Sequence, residues 1–158
     1  MRKGIADLHR RAEVSQKATE RYLDAFAAMD DSTSLQELLD PIEKHVTWNG
    51  KRVRAMHPFD GQDKVLLESI SRGEYVINGL RNRDLQNLLY ASDPKSEKES
   101  RQRSAAISRK LRMLRAHHLI SKVSGTHRYQ VTATGRQLAM GVIAASNATV
   151  NMLIPKAA

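Results

Sequence analysis

The 158-residue chain has no cysteine, so neither a disulfide framework nor a thiolate metal site is open to it, and a reducing cytoplasm is the expected setting. Long apolar runs are missing too. The first thirty residues alternate charged and apolar groups and build no apolar h-region, so no signal peptide is expected. The longest uncharged stretch, residues 137–155, is interrupted by Gln137, Ser146, Asn147, Thr149 and Asn151. Those polar groups argue against a membrane span and for a buried or pairing helix. No internal repeat and no low-complexity segment is visible.

Acids are scarce in one half only. The formal net charge is +9 and the pI about 10.1, a balance that attracts polyanions. Residues 1–59 carry 10 Lys/Arg against 9 Asp/Glu, whereas residues 60–158 carry 16 against 8. The scarcity also leaves no spaced carboxylate set for two-metal phosphoryl chemistry. Neither a glycine-rich phosphate loop nor a Ser-His-Asp arrangement is recognisable. Among the six histidines, no pair has helical ligand spacing beside a carboxylate, and the adjacent His117 and His118 point to different faces. Catalysis, a metal and a cofactor are therefore not expected.

The pattern divides into residues 1–59 and residues 60–158. In the first segment, residues 5–29 read as an amphipathic helix containing Ile5, Leu8, Tyr22, Leu23 and Phe26, ended by Asp30, Asp31 and Ser32. Its acids Asp7, Glu13, Glu20 and Asp24 weigh against a membrane-surface role. Ser34 caps a short helix through Leu39 that Pro41 closes. Asn49-Gly50 between two alternating runs then predicts a hairpin over residues 46–54, with Trp48 anchoring a small core. Residues 56–61, with Pro58 and Gly61, read as a linker.

After the boundary, Asp60 caps a helix over residues 62–72 with Val65, Leu66 and Ile70 inward, and Gly73 stops it. Tyr75, Val76 and Ile77 read as a short strand, turned by Asn78-Gly79. Asn82 caps a helix from Arg83 to about residue 91 that buries Leu85, Leu88 and Leu89. Ser96 and Glu99 form a capping box for a longer helix over residues 98–117. Apolar residues then alternate over 119–123 and again over 129–131, around a loop in which Gly125 tolerates a positive φ. A last helix over residues 135–153 offers Leu138, Val142, Ala145 and Met152. It is read as a homodimer contact or as packing against the N-terminal segment, and residues 5–29 are a second dimer candidate.

The helix of residues 98–117 carries Lys98, Arg101, Arg103, Arg109, Lys110, Arg112 and Arg115 against one acid, Glu99. At the helical period Ile107, Leu111 and Leu114 form a buried seam. Arg101, Gln102, Ala105, Ser108, Arg109 and Arg112 occupy the opposite face, with Arg115 on its flank. Small Ala105 and Ser108 allow a backbone to approach a groove floor, while forked Arg and Gln side chains match guanine and adenine edges. A solvated face normally mixes signs, and this one is almost purely cationic. Lys122, His127 and Arg128 add charge to the following hairpin. Arg81, Asn82 and Arg83 open the preceding helix, whose free amides suit a backbone phosphate.

Helix, strand, helix, helix, hairpin, helix is the order of a winged helix-turn-helix, and residues 62–140 resemble that family. Leu119, Ile120 and Lys122, followed by Arg128, Tyr129, Val131, Thr132 and Gly135, are similar to the tail of MarR-type bacterial regulators. The resemblance implies that Thr132 caps the helix after the wing, that Arg128 and its neighbours meet DNA, and that residues 101–115 form the recognition helix. Two departures stand out. Residues 92–97 lengthen the helix-turn-helix corner, and the first sixty residues lack that family's dimer-forming helices.

The expected fold is therefore mainly α with small β-hairpins (α+β), a winged helix-turn-helix preceded by a helical segment with a short hairpin. The expected partner is double-stranded DNA and the expected role transcriptional regulation in the cytoplasm, nucleoid-associated in a bacterium. The alternatives are a replication-initiator or mobile-element accessory protein, a winged-helix module that docks an acidic protein, and a fragment of a longer protein.

Overall fold

The computed structural model describes residues 33–148; the helix expected over residues 5–29 and the tail of the last helix beyond 148 lie outside that range. A reciprocal cap opens the first element. Ser34 Oγ accepts the Glu37 N–H at 3.2 Å, and the Glu37 carboxylate accepts the Ser34 N–H at 3.0 Å, starting α1 (Leu35–Leu39). Strands β1 (Val46–Trp48) and β2 (Lys51–Val53) then pair antiparallel, with Trp48 opposite Lys51. Asn49 and Gly50 between them have φ 49° and 70°, the left-handed pair that a type I′ turn requires.

Three helices follow: α2 (Gly61–Ile70), α3 (Gly73–Asn78) and α4 (Asn82–Leu89). The twenty-residue α5 (Glu97–Ala116) leads into β3 (Ile120–Lys122), β4 (Tyr129–Val131) and α6 (Ala133–Asn147). The fold is thus mixed α and β, largely helical, with two small antiparallel hairpins. Among the described residues no helix is long and apolar enough to cross a membrane.

One core runs through these elements. Leu66, Leu67 and Ile70 of α2 are fully buried with Leu85 of α4, Ile107 and Leu114 of α5, and Leu138 and Val142 of α6. Leu39, Ile42, Val53 and Met56 join the same cluster, so apolar packing crosses the boundary placed at residue 59. The stretch read as a linker is correspondingly packed: Met56 and Pro58 are buried, and the Met56 N–H donates to the Ile42 carbonyl at 2.8 Å.

Other expectations are corrected. Val65 is 45 % exposed, and Leu67 takes the inward position. Gly73 begins α3 instead of stopping α2, which ends at Ile70. Residues 75–77 are helical, not a strand; a three-residue apolar run is too short for its period to decide. The strand contact falls later, at Leu80, whose N–H and carbonyl exchange 2.8 Å bonds with Tyr129. Gly79 makes this junction possible with φ 70°, and a Cβ there would lie 2.6 Å from the Tyr129 carbonyl oxygen. The last helix starts at Ala133 and closes at Asn147, with Ala148 extended.

At the end of α5 the chain reverses through His118, whose φ is 58°. The Leu119 N–H returns to the Leu114 carbonyl at 2.9 Å and the His118 N–H to Arg115 at 3.0 Å, a Schellman-type closure with histidine where glycine is usual. Thr132 then ties the hairpin to α6. Its Oγ1 accepts the Gly135 N–H at 3.0 Å and donates to the His118 carbonyl at 2.7 Å. Gly135 is required for a steric reason, because a Cβ on it would meet the Leu119 carbonyl oxygen at 2.1 Å. The threonine and glycine of the sequence motif therefore lock one joint. The apolar stripe of α6 packs against α1 and α2.

Candidate nucleic-acid interface

Helix α5 begins one residue earlier than the sequence suggested, and that residue matters. Ser96 Oγ accepts the Glu99 N–H at 3.2 Å, but the Glu99 carboxylate accepts the Lys95 N–H at 2.8 Å, one position before the cap. Both Glu97 and Glu99 thus lie in the first turn, where carboxylates favour the positive end of the helix dipole. The Lys95 N–H, and then the Arg103 guanidinium, hold the Glu99 carboxyl below its usual pKa.

Each acid takes a cation one turn on. Glu97 pairs with Arg101, and Glu99 pairs with Arg103. Arg103 also donates to the Ser92 carbonyl and stacks 4.6 Å over the Tyr90 ring, leaving its side chain 13 % exposed. It braces the long connection between α4 and α5, and it is not a free contact for a partner. The connection between Leu89 and Glu97 is thereby fixed from inside.

The seam of α5 is as expected, with Ile107, Leu111 and Leu114 buried. Arg101, Gln102, Ala105, Ser108, Arg109 and Arg112 are all exposed, so they form one solvent-facing strip along the helix. Beyond Arg101 the strip has no carboxylate partner among the described residues: Arg109 and Arg112 make no ion pair there. Ser108 is engaged through its Oγ, which accepts a 2.9 Å bond from the Asn82 amide. That amide also donates to the Ser104 carbonyl at 3.0 Å, and Asn82 Oδ1 accepts from Gln86 at 2.6 Å.

Asn82 therefore pins α4 to α5 and does not cap its own helix. The cap position is Arg81, whose N–H is taken by the Asp84 carboxylate at 2.7 Å. Arg83 stands exposed beside the same carboxylate at 3.7 Å. Arg81, Arg83 and His127 share a groove with Tyr129 along one flank of α5. Lys122 and His127 are exposed on the second hairpin, while Arg128 turns back to donate to the Asn78 carbonyl at 2.7 Å. Arg115 stacks 4.7 Å over Trp48 of β1. Trp48 is half-buried at the edge of the common core, not the anchor of a separate one.

The other flank of α5 holds residues that sequence reasoning missed. Arg52 of β2 and Lys110 of α5 lie in one cleft with Arg109 and Arg112. The charges of β2 were visible beside the Asn-Gly turn, but nothing local placed that turn against a helix more than fifty residues away. The tether is Arg54, which forks onto Asp63 of α2 with bonds of 2.7 and 2.5 Å. Burial pushes the Asp63 carboxyl up, and the Arg54 hydrogen bond is the strongest single pull in the other direction. With the His57 N–H and the charges of Arg54 and Lys110, it holds the pKa below the ordinary range. Buried His117 completes the joint through a 2.9 Å contact between Nε2 and the Arg54 carbonyl.

Among the described residues no cluster of three His, Asp or Glu side chains could hold a metal. No protein-family model matches the chain, and neither a characterised protein nor a solved structure matches it.

Proposed function

We propose that this chain is a winged helix-turn-helix protein that binds double-stranded DNA and acts in transcriptional regulation. In this reading α4 and α5 are the helix-turn-helix pair and β3–β4 is the wing. The single observation that carries it is the exposed strip of Gln102, Ala105, Arg109 and Arg112, where neither arginine has a carboxylate partner among the described residues. A helix with small residues along an exposed cationic face suits a major groove, where Arg and Gln read base edges.

The surroundings support the same reading. Arg81 and Arg83 at the start of α4 and His127 on the hairpin border one side of the strip, where phosphates flank a groove-bound helix. The Leu80–Tyr129 bridge, the Gly79 junction and the Thr132–Gly135 lock fix the hairpin against that side.

The test is a fluorescence-anisotropy titration of a random-sequence 25-mer duplex with the wild type and an Arg109→Ala/Arg112→Ala double variant at two salt concentrations. Salt-sensitive binding by the wild type is expected. In the variant this binding should be largely lost at both salt concentrations, because the two unpaired cations at the centre of the strip are gone. No binding by the wild type at low salt would overturn the reading and assign the strip to an acidic protein partner.

A further inference from the structure

The geometry points to the β1–β2 hairpin as a second DNA-contacting hairpin, whose Arg52 and Lys51 hold the phosphodiester backbone beside the segment under α5. This inference rests on the DNA reading above and extends it to a part of the chain that the winged-helix resemblance does not cover.

The supporting feature is the cleft between β2 and α5. It measures about 380 Å³, and Arg52, Arg54, Gln62, Arg109, Lys110 and Arg112 surround a floor that includes Ala106 and buried Met113. The volume is roughly ten times the share of one water molecule, enough for a sugar-phosphate unit to enter. Among the described residues no carboxylate lines it. Arg54 is paired with Asp63, whose charge also reaches Lys110, and the hydrogen bond of Lys110 goes to a neutral group, Gln62 Oε1, at 3.1 Å. Among the described residues Arg52, Arg109 and Arg112 make no ion pair. Two elements distant in sequence thus bring Arg52 together with Arg109, Lys110 and Arg112, and the carboxylate nearby, Asp63 behind Arg54, offsets only part of that charge, an arrangement that attracts a polyanion.

Position supports the same partner. The residues of α5 that face the β3–β4 groove are Ser104, Ser108 and Leu111, whereas those facing the β2 cleft include Ala106, Arg109 and Met113. At 100° per residue these sets lie on roughly opposite flanks of the helix. Hairpins therefore border the exposed strip on both sides. β1–β2 is held rigidly in that place by the Arg54–Asp63 fork, the Arg54–His117 contact and the Trp48–Arg115 stack. Lys51 follows the tight turn and is exposed, so it extends the cationic edge beyond the cleft.

The experiment uses the full chain with the random 25-mer duplex. A Lys51→Ala/Arg52→Ala variant should bind about ten-fold more weakly at moderate salt, with a salt slope lower by one to two. Its melting temperature should be unchanged, because both side chains are exposed. Arg72→Ala, which removes a cation that does not line the cleft, should leave affinity and slope as they were. Unchanged affinity and slope in the double variant, with the wild type binding tightly, would overturn this inference and leave the α5 reading standing. A wild type that does not bind duplex at low salt would overturn both.

Discussion

The two hairpins have three-residue strands and antiparallel pairing in common, yet different forces hold them. The first closes through a two-residue Asn49-Gly50 turn, whose backbone is encoded locally, and is fixed to the body by Arg54, Asp63 and His117. The second spans a longer loop over residues 123–128 and is fixed by backbone contacts: the Leu80 bridge, the Leu119 carbonyl beneath Gly135 and the Thr132 bonds. The first adds a charged tether to the apolar contacts of Val46, Trp48 and Val53, and the second is locked by backbone against backbone. A charged tether tolerates adjustment and depends on pH, whereas close backbone approach depends on neither charge nor rotamer.

Gly135→Ala gives the sharpest contrast. Its new methyl would sit 2.1 Å from a backbone oxygen that cannot rotate away, so the second hairpin or α6 must shift. A loss of about 3 kcal/mol is expected, read as a fall in denaturant midpoint. A variant as stable as the wild type would show that the joint between β3 and α6 is loose.

The tether of the first hairpin comes next. Asp63→Ala leaves the Arg54 fork and the His57 N–H without an acceptor. Because the Arg54 side chain is half exposed, a loss of about 2 kcal/mol is expected, less than for a fully buried pair. The pH dependence has a definite sign. The folded-state pKa of Asp63 is depressed, so its contribution is complete above the unfolded-state value of about 4. It is lost as pH falls through the lower folded-state value. The difference in urea midpoint between wild type and Asp63→Ala should therefore be constant near neutrality and shrink below about pH 4. A difference that persists to low pH would mean that the pair does not anchor the hairpin.

Gly50→Ala should have the smallest effect. The space around this residue is open, and only the positive φ is unfavourable, so about 1 kcal/mol is expected. The same denaturant midpoints would read it. A cost equal to that of Gly135→Ala would erase the distinction between a turn-encoded hairpin and a packed one.

The cationic helix shows the same division on a smaller scale. A window beginning at residue 98 counts one acid, but the helix begins at Glu97, and the i,i+4 pairs Glu97–Arg101 and Glu99–Arg103 follow from that start. Both spacings were present in the sequence. Their consequence depended on a cap boundary, which shifts by a residue or two in any such reading. Among the described residues the unpaired cations of α5 are consequently Lys98 in its first turn and a cluster in its C-terminal half, where Arg109 and Arg112 lie next to β2.

Local signals determined much of this protein. The Asn-Gly turn, the Ser34, Ser96 and Thr132 caps, the Ile107–Leu111–Leu114 seam and the hairpin over residues 119–131 each act within a few residues of the chain, and each recurs in the structure. Tertiary packing decided what those signals leave open. Residues 75–77 became helix because Gly79 lets Leu80, and not the run before it, meet β4. Arg103 and Arg128 turned inward because carbonyls of distant segments accept from them. Arg52 joined Arg109 and Arg112 because Asp63 holds its neighbour Arg54. The physical reason is common to all three: a cap or turn is satisfied by neighbours in sequence, whereas the partner of a long cationic side chain is whatever the folded chain brings within reach.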